Sequence, residues 1–144
     1  MEGESDEFID EYAREKYEER NRLVAEYETE DQLMAECEKS GSNILVHFYS
    51  NDFSKCRELN NLLIQVAQNG KYEGIGFRKI DASKCKTLAV KLGIRRLPLV
   101  CVFKNGYFID SFVGYEGFGG RSSAEVEDVE EYLDKSELMV DWKE

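Results

Sequence analysis

Arg95-Arg96-Leu97-Pro98-Leu99-Val100-Cys101-Val102-Phe103-Lys104-Asn105-Gly106 is the stretch on which the reading of this chain turns. It holds the only proline among 144 residues, set directly before an apolar run that ends in Asn-Gly. Proline has no N–H to give to a ladder, so it is kept out of central strands but can open one. The bond before it is also the one kind of peptide for which cis geometry costs little, roughly 0.5–1 kcal/mol. Asn-Gly between two apolar runs is the strongest short-range hairpin signal, because both residues accept the backbone that the turn requires. Residues 99–103 and 107–113 are therefore expected as antiparallel strands, with Pro98 at the entrance to the first.

Upstream, Gly93 closes a short helix, with Ser83 as its expected N-cap and Leu92 near its end. Residues 75–80 read as a strand ending at Asp81. Leu59, Leu62, Leu63, Val66 and Ala67 recur at three- and four-residue steps and mark the core face of a helix from Ser54 to Gln68. Ile44-Leu45-Val46-His47-Phe48-Tyr49 reads as a buried first core strand. Thr29-Glu30-Asp31-Gln32 has the form of a capping box that starts a helix running to about Lys39. Residues 7–27 read as one charge-rich helix with a thin apolar stripe of Phe8, Ile9, Tyr12, Tyr17, Val24 and Tyr27, a type stable only when docked. Downstream, a glycine-rich loop from Gly114 to Ser123 leads to a helix over Ala124–Leu133, capped by Ser122 or Ser123, with Val126, Val129 and Leu133 inward.

The order is α-α-β-α-β-α-β-β-α. Strand–helix–strand units imply parallel pairing with right-handed crossovers, and the hairpin adds antiparallel strands. The expected class is α/β, a central mixed β-sheet flanked by helices. Residues 1–40 are expected as an N-terminal helical extension, 41–136 as the globular domain and 137–144 as an acidic tail.

The net charge is −11, unevenly spread. Residues 1–31 carry thirteen acids against four bases, residues 40–120 six against eleven, and residues 121–144 nine against three. An acidic chain does not suit phosphate neutralisation, so nucleic acid is not expected as the main ligand. No apolar run nears the roughly 20 residues needed to span a bilayer, so membrane insertion is not expected either. Met1-Glu2-Gly3-Glu4-Ser5-Asp6 has neither a basic start nor an apolar segment, and no signal peptide is expected. Cys37, Cys56, Cys85 and Cys101 show no pairing rhythm and are expected as reduced thiols of a cytoplasmic protein. One histidine and no C-x-x-C give no ligand set for a metal, and no cofactor is implied.

Four features occur in order: the strand Ile44–Tyr49 with the turn Phe53-Ser54-Lys55-Cys56, the segment Gly93 to Pro98, Phe103-Lys104-Asn105-Gly106, and Val113-Gly114. Together they resemble a thioredoxin-like domain over about residues 41–135. In thioredoxins the turn reads W-C-x-x-C. Here Phe53 stands at the place of the attacking cysteine and Cys56 at that of the resolving one. Exchange needs an attacking thiolate and a second thiol to release the mixed disulfide, so the two-thiol cycle is not expected in this chain alone. Within the fold, His47-Phe48-Tyr49, the loss of one turn cysteine and Glu7-Phe8-Ile9-Asp10-Glu11-Tyr12-Ala13-Arg14-Glu15-Lys16 resemble the phosducin-like family. Phe112-Val113-Gly114-Tyr115 through Gly119-Gly120 resembles its thioredoxin-domain-containing subgroup. This resemblance implies a non-enzymatic protein that binds the cytosolic chaperonin CCT and modulates folding of actin and tubulin, and in some branches binds G-protein βγ subunits. Most of the family's long N-terminal helical region, which carries much of the βγ contact, has no counterpart here. The expectation therefore favours the chaperonin over βγ.

Two readings stand for the residues able to do chemistry. Cys56 lies in the first turn of a helix beside Lys55, where a thiolate gains stability, so it is the candidate for a monothiol redox protein. The other reading, and the favoured one, is a small apolar residue packed under that helix. His47, placed near Cys56 and Pro98 by analogy with the fold, is either a proton relay or a core histidine with one hydrogen bond. Pro98 is structural and borders backbone that can receive an extended peptide. For partner binding the candidates are Phe8, Tyr12 and Tyr17, the basic residues Lys84, Lys86, Lys91, Arg95 and Arg96 on one helix and its following loop, and Phe118, expected to be exposed between glycines.

Overall fold

Ile44 to Tyr49 bury six consecutive side chains, and the reason is the layer on each side of them. The computed structural model describes residues 2–142, with side chains for residues 7–142. Its elements are α1 (Glu2–Leu23), β1 (Ala25–Glu26), α2 (Glu30–Cys37), β2 (Asn43–Tyr49), α3 (Ser54–Ala67), β3 (Gly76–Asp81), α4 (Lys86–Leu92), β4 (Leu99–Lys104), β5 (Tyr107–Val113) and α5 (Val126–Lys135), with short 3-10 turns between them. The sheet order is β1-β3-β2-β4-β5. β3 runs parallel to both β1 and β2, while β4 is antiparallel to β2 and to β5.

Alternation along β2 divides the core. Leu45 faces a cluster built with Leu59 and Leu63 of α3 and Val129 and Leu133 of α5. Ile44, Val46 and Phe48 face the other cluster, with Leu33 and Cys37 of α2 and Leu88 of α4. Period-two side chains with helices on both faces make every position from Ile44 to Tyr49 apolar except His47. The Leu97–Pro98 bond is cis, as the sequence suggested, and Asn105 and Gly106 both adopt positive φ in the hairpin turn.

Several expectations change at the element ends. The first helix stops at Leu23 rather than running to residue 27. Val24 and Tyr27 are buried, and Ala25 and Glu26 pair with Arg78 and Lys79 as the sheet edge. Tertiary pairing here overrides helical periodicity. Residues 25–39, read as part of a helical extension, thus supply an edge strand and a core-packed helix. Thr29 does accept the Gln32 N–H at 3.2 Å, but Gln32 reaches back to the N–H of Glu28, one residue earlier than the motif prescribes.

Ser83 is not the cap of α4. It lies inside a 3-10 turn whose N-cap is Asp81, and the N-terminal amides of Thr87 and Leu88 are taken by the Glu30 carboxylate from α2. Those bonds, the one from Leu88 foremost, hold the Glu30 carboxyl below its ordinary range. The last helix begins at Val126, capped by Glu125 and Asp128 rather than by Ser122 or Ser123. The C-terminal segment is tied down as far as it is described. The Lys104 ammonium donates to the carbonyls of Glu137 (2.6 Å) and Val140, and Leu138 is buried. Lys143 and Glu144 of the expected acidic tail, like Met1, lie outside the described residues.

Candidate functional site

The turn after β2 carries the chain from the central strand into α3. Phe53 donates its N–H to the Ser50 carbonyl at 3.2 Å and serves as the N-cap of α3 in extended conformation. It brings no side-chain acceptor to the cap. Its ring is instead 51% exposed, an unusual place for a phenylalanine. Three residues on, Cys56 is fully buried, and that burial raises its thiol pKa against the opposing effects of the Ser50 backbone and Arg57. Helix-terminus activation therefore does not prevail here, and Lys55 lends it no help. The Lys55 ammonium lies 5.1 Å over the ring of Tyr115, whose hydroxyl donates to Glu58 at 2.9 Å.

His47 is also fully buried, on the α3 face of β2. Its Nδ1 is 2.8 Å from the Asn60 amide oxygen of α3, while Nε2 has no partner among the described residues. Burial pushes its pKa down to about 4, with the Lys79 charge acting in the same direction and the Asn60 bond against it. It is a neutral core histidine at physiological pH. Asn60 gave no signal in the sequence, because nothing local marks which polar residue of a helix will meet a strand.

Pro98 is buried at the head of β4, and its carbonyl accepts the Gly114 N–H at 2.7 Å. This bond brings Val113-Gly114 beside the loop before the proline. Phe53, Lys55, Arg95, Arg96, Leu97 and Arg121 come together there around an open groove. The five predicted cations do not form one patch. Arg95 and Arg96 border this groove, whereas Lys84 borders a separate crevice with Tyr17, Asn21 and Glu26. Lys86 and Lys91 stand exposed on α4. Lys55 and Arg121 complete the groove and were missed. Arg121 follows Gly119-Gly120, and only the folded loop shows where it points.

Phe118 is not the exposed contact expected of it. It is 1% exposed and packs edge-on against Phe112 and Tyr132, with ring centroids 4.9 and 5.6 Å away. Gly117 permits this, since a Cβ there would stand 2.5 Å from the Phe112 ring. The flanking glycines serve packing rather than presentation. On α1, Phe8, Tyr12 and Tyr17 are all exposed. At about 100° per residue Phe8 and Tyr12 share a side and Tyr17 lies nearly opposite. Tyr17 belongs with the Lys84 crevice.

Among the described residues no group of His, Cys, Asp and Glu is arranged to hold a metal ion, and no helix is long and apolar enough to cross a membrane.

Residues 24–120 match the thioredoxin family model. The chain is 37% identical over 97 residues to phosducin-like protein 3 of Dictyostelium discoideum, covering 67% of this chain and 52% of that one. It is 30% identical over 105 residues to the thioredoxin domain-containing protein plp1 of Schizosaccharomyces pombe, covering 73% and 37%. It thus spans about half or less of the length of these two relatives. Solved thioredoxins share the fold. That of Malassezia sympodialis superposes with a TM-score of 0.61 at 20% identity over 76% of this chain and 87% of its own. Mitochondrial thioredoxin 3 of Saccharomyces cerevisiae gives 0.62 at 14% identity over 81% and 99%. The match begins at Val24, where the first buried residue of the sheet layer stands. The chain belongs to the thioredoxin family, as a phosducin-like thioredoxin-domain protein.

Proposed function

We propose that this chain is a non-catalytic, cytoplasmic phosducin-like protein that binds the cytosolic chaperonin CCT and modulates the folding of clients such as actin and tubulin, with G-protein βγ subunits as a further class of partner. The observation that carries this reading is the turn after β2. The fold is kept, but an exposed Phe53 occupies the place of the attacking thiol, and the remaining Cys56 is buried with its thiol pKa raised. A buried, protonated thiol is a poor nucleophile, which weighs against a monothiol redox protein. The curated relatives add the phosducin-like identity.

Contacts to a large partner fall to α1. Phe8, Ile9 and Tyr12 are 71%, 59% and 55% exposed along one side of it. Aromatic anchors of this kind dominate interface energies. Purified chaperonin and fluorescently labelled protein should co-sediment, and Phe8→Ala/Tyr12→Ala should weaken the association about 30-fold or more, at about 1 to 2 kcal/mol per truncated anchor. No co-sedimentation, or catalysis of insulin disulfide reduction by the purified protein, would overturn the reading.

A further inference from the structure

Between the buried Phe118 and α5, Arg121-Ser122-Ser123-Ala124 crosses the surface without a backbone hydrogen bond among the described residues. Glu125 and Asp128 cap α5, so neither serine is spent on the helix end. Arg121, Ser122 and Ser123 are all exposed. Two separate features single out Ser122. The first is the sequence after it. Of all the serines and threonines in the chain, Ser122 alone has an acid three residues on, Glu125, and Glu127 and Asp128 extend the acidic run. The second is where the loop lies. Ser122 lines the groove beside Pro98 together with Lys55, Arg95, Arg96 and Arg121. Among the described residues Arg95 and Arg121 make no ion pair, and Arg96 meets Glu116 at 3.6 Å between exposed side chains. A pair of that kind contributes at most about 1 kcal/mol, so a stronger anion displaces it.

An exposed hydroxyl on an unbonded loop is accessible to the cleft of a protein kinase, and charge pattern is how such enzymes choose among serines. We propose that Ser122 is a phosphorylation site for an acid-directed serine kinase, and that Arg95 and Arg96 of the loop before Pro98 hold the resulting phosphate. The γ-phosphoryl group of Mg-ATP passes to Ser122 Oγ. The Oγ–P bond forms and the bond from that phosphorus to the β,γ-bridging oxygen breaks. The hydroxyl proton goes to the kinase's base, and ADP leaves. The phosphate carries about −1.5 to −2 charges and three acceptor oxygens, which guanidinium groups bind in bidentate fashion. It replaces Glu116 on Arg96 and fastens the glycine-rich loop 119–124 to residues 95–96. The modified protein thereby loses the free positive charge of this groove. The step uses no thiol and does not depend on the chaperonin reading.

The purified chain is incubated with an acid-directed casein kinase and Mg-ATP, and phosphate is located by peptide mass spectrometry. Phosphate on Ser122 is expected. Glu125→Gln keeps an amide oxygen for the α5 cap and should slow that incorporation about tenfold or more, through loss of one charged hydrogen bond to the kinase. Phosphorus NMR then titrates the product. The second pKa of phosphoserine lies near 6, and it should be about 0.5 lower in the wild type than in Arg95→Gln/Arg96→Gln, where the dianion loses its partners. Lys86→Gln/Lys91→Gln removes as much charge away from the groove and should leave that pKa at the wild-type value. All substituted residues are exposed, and circular dichroism checks that each variant stays folded. No phosphate on Ser122, an equal rate for Glu125→Gln, or one phosphate pKa shared by the wild type and both double variants would overturn the proposal.

Discussion

His47 holds a polar ring at the centre of the sheet, bonded through Nδ1 to Asn60 and facing Tyr49 and the Lys79 charge on the same side. Its pKa in the folded protein is about 4, against 6.5 for an unperturbed histidine. Between these values the unfolded chain binds more protons than the folded one. The stability that the neutral ring confers is therefore complete above about pH 6.5 and is lost as the pH falls towards 4, by about 3 kcal/mol in all and about 2 kcal/mol by pH 5. Urea unfolding of the wild type should weaken more between pH 7 and pH 5 than that of His47→Asn; parallel losses would contradict this. Cys56 should react with iodoacetamide far more slowly than free cysteine at neutral pH, reaching the free rate only in denaturant, as peptide mapping would show. At Gly117 the Phe112 ring leaves no room for a methyl group. Gly117→Ala should cost about 1–3 kcal/mol in thermal or urea unfolding through forced repacking of the Phe112–Phe118–Tyr132 cluster, and an unchanged midpoint would show that the loop yields freely.

At the scale of elements, α1 differs from the rest. Its side chains from Glu7 to Glu18 are all exposed, and burial begins with the half-buried Glu19 and Leu23 and is complete only at Val24, just past its end. Isolated helices are marginal in water, so its amides over residues 7–20 should exchange within the fast regime while those of β2 and β4 are protected. Uniform protection would mean that α1 is held by contacts absent from the fold described. Most elements were legible because their signals are local. Proline before an apolar run, Asn-Gly between strands, and leucines at helical steps each act within a few residues. The edge strand β1 was not. Its two residues continue the helical pattern, and only the carbonyls and amides of β3 turn them into a strand. Caps failed for a similar reason: Glu30 caps α4 from another helix, 57 residues away in sequence from Thr87.

Across the whole molecule, the position of the site was readable and its surface was not. Pro98 and the turn Phe53–Cys56 marked the place from the sequence, and the fold brings Phe53 and Leu97 around one groove there. The grouping of Arg95 and Arg96 with Lys55 and Arg121, and their separation from Lys84, depend on loop paths that no spacing encodes. Phe118 shows the converse, since a lone aromatic among glycines looked like a contact and proved to be core. What the molecule presents is a thioredoxin fold with an exposed Phe53 at the N-cap of α3, a buried Cys56 thiol, an exposed aromatic side on α1 and a basic groove beside Pro98. A protein so built is proposed to work by binding rather than by thiol exchange. The direct measurement is capture from cytosol by wild type and Cys56→Ser side by side, read by mass spectrometry. Chaperonin subunits retained equally by both, and resistant to reductant, are the predicted result. Partners held only by the wild type and released by reductant would contradict it.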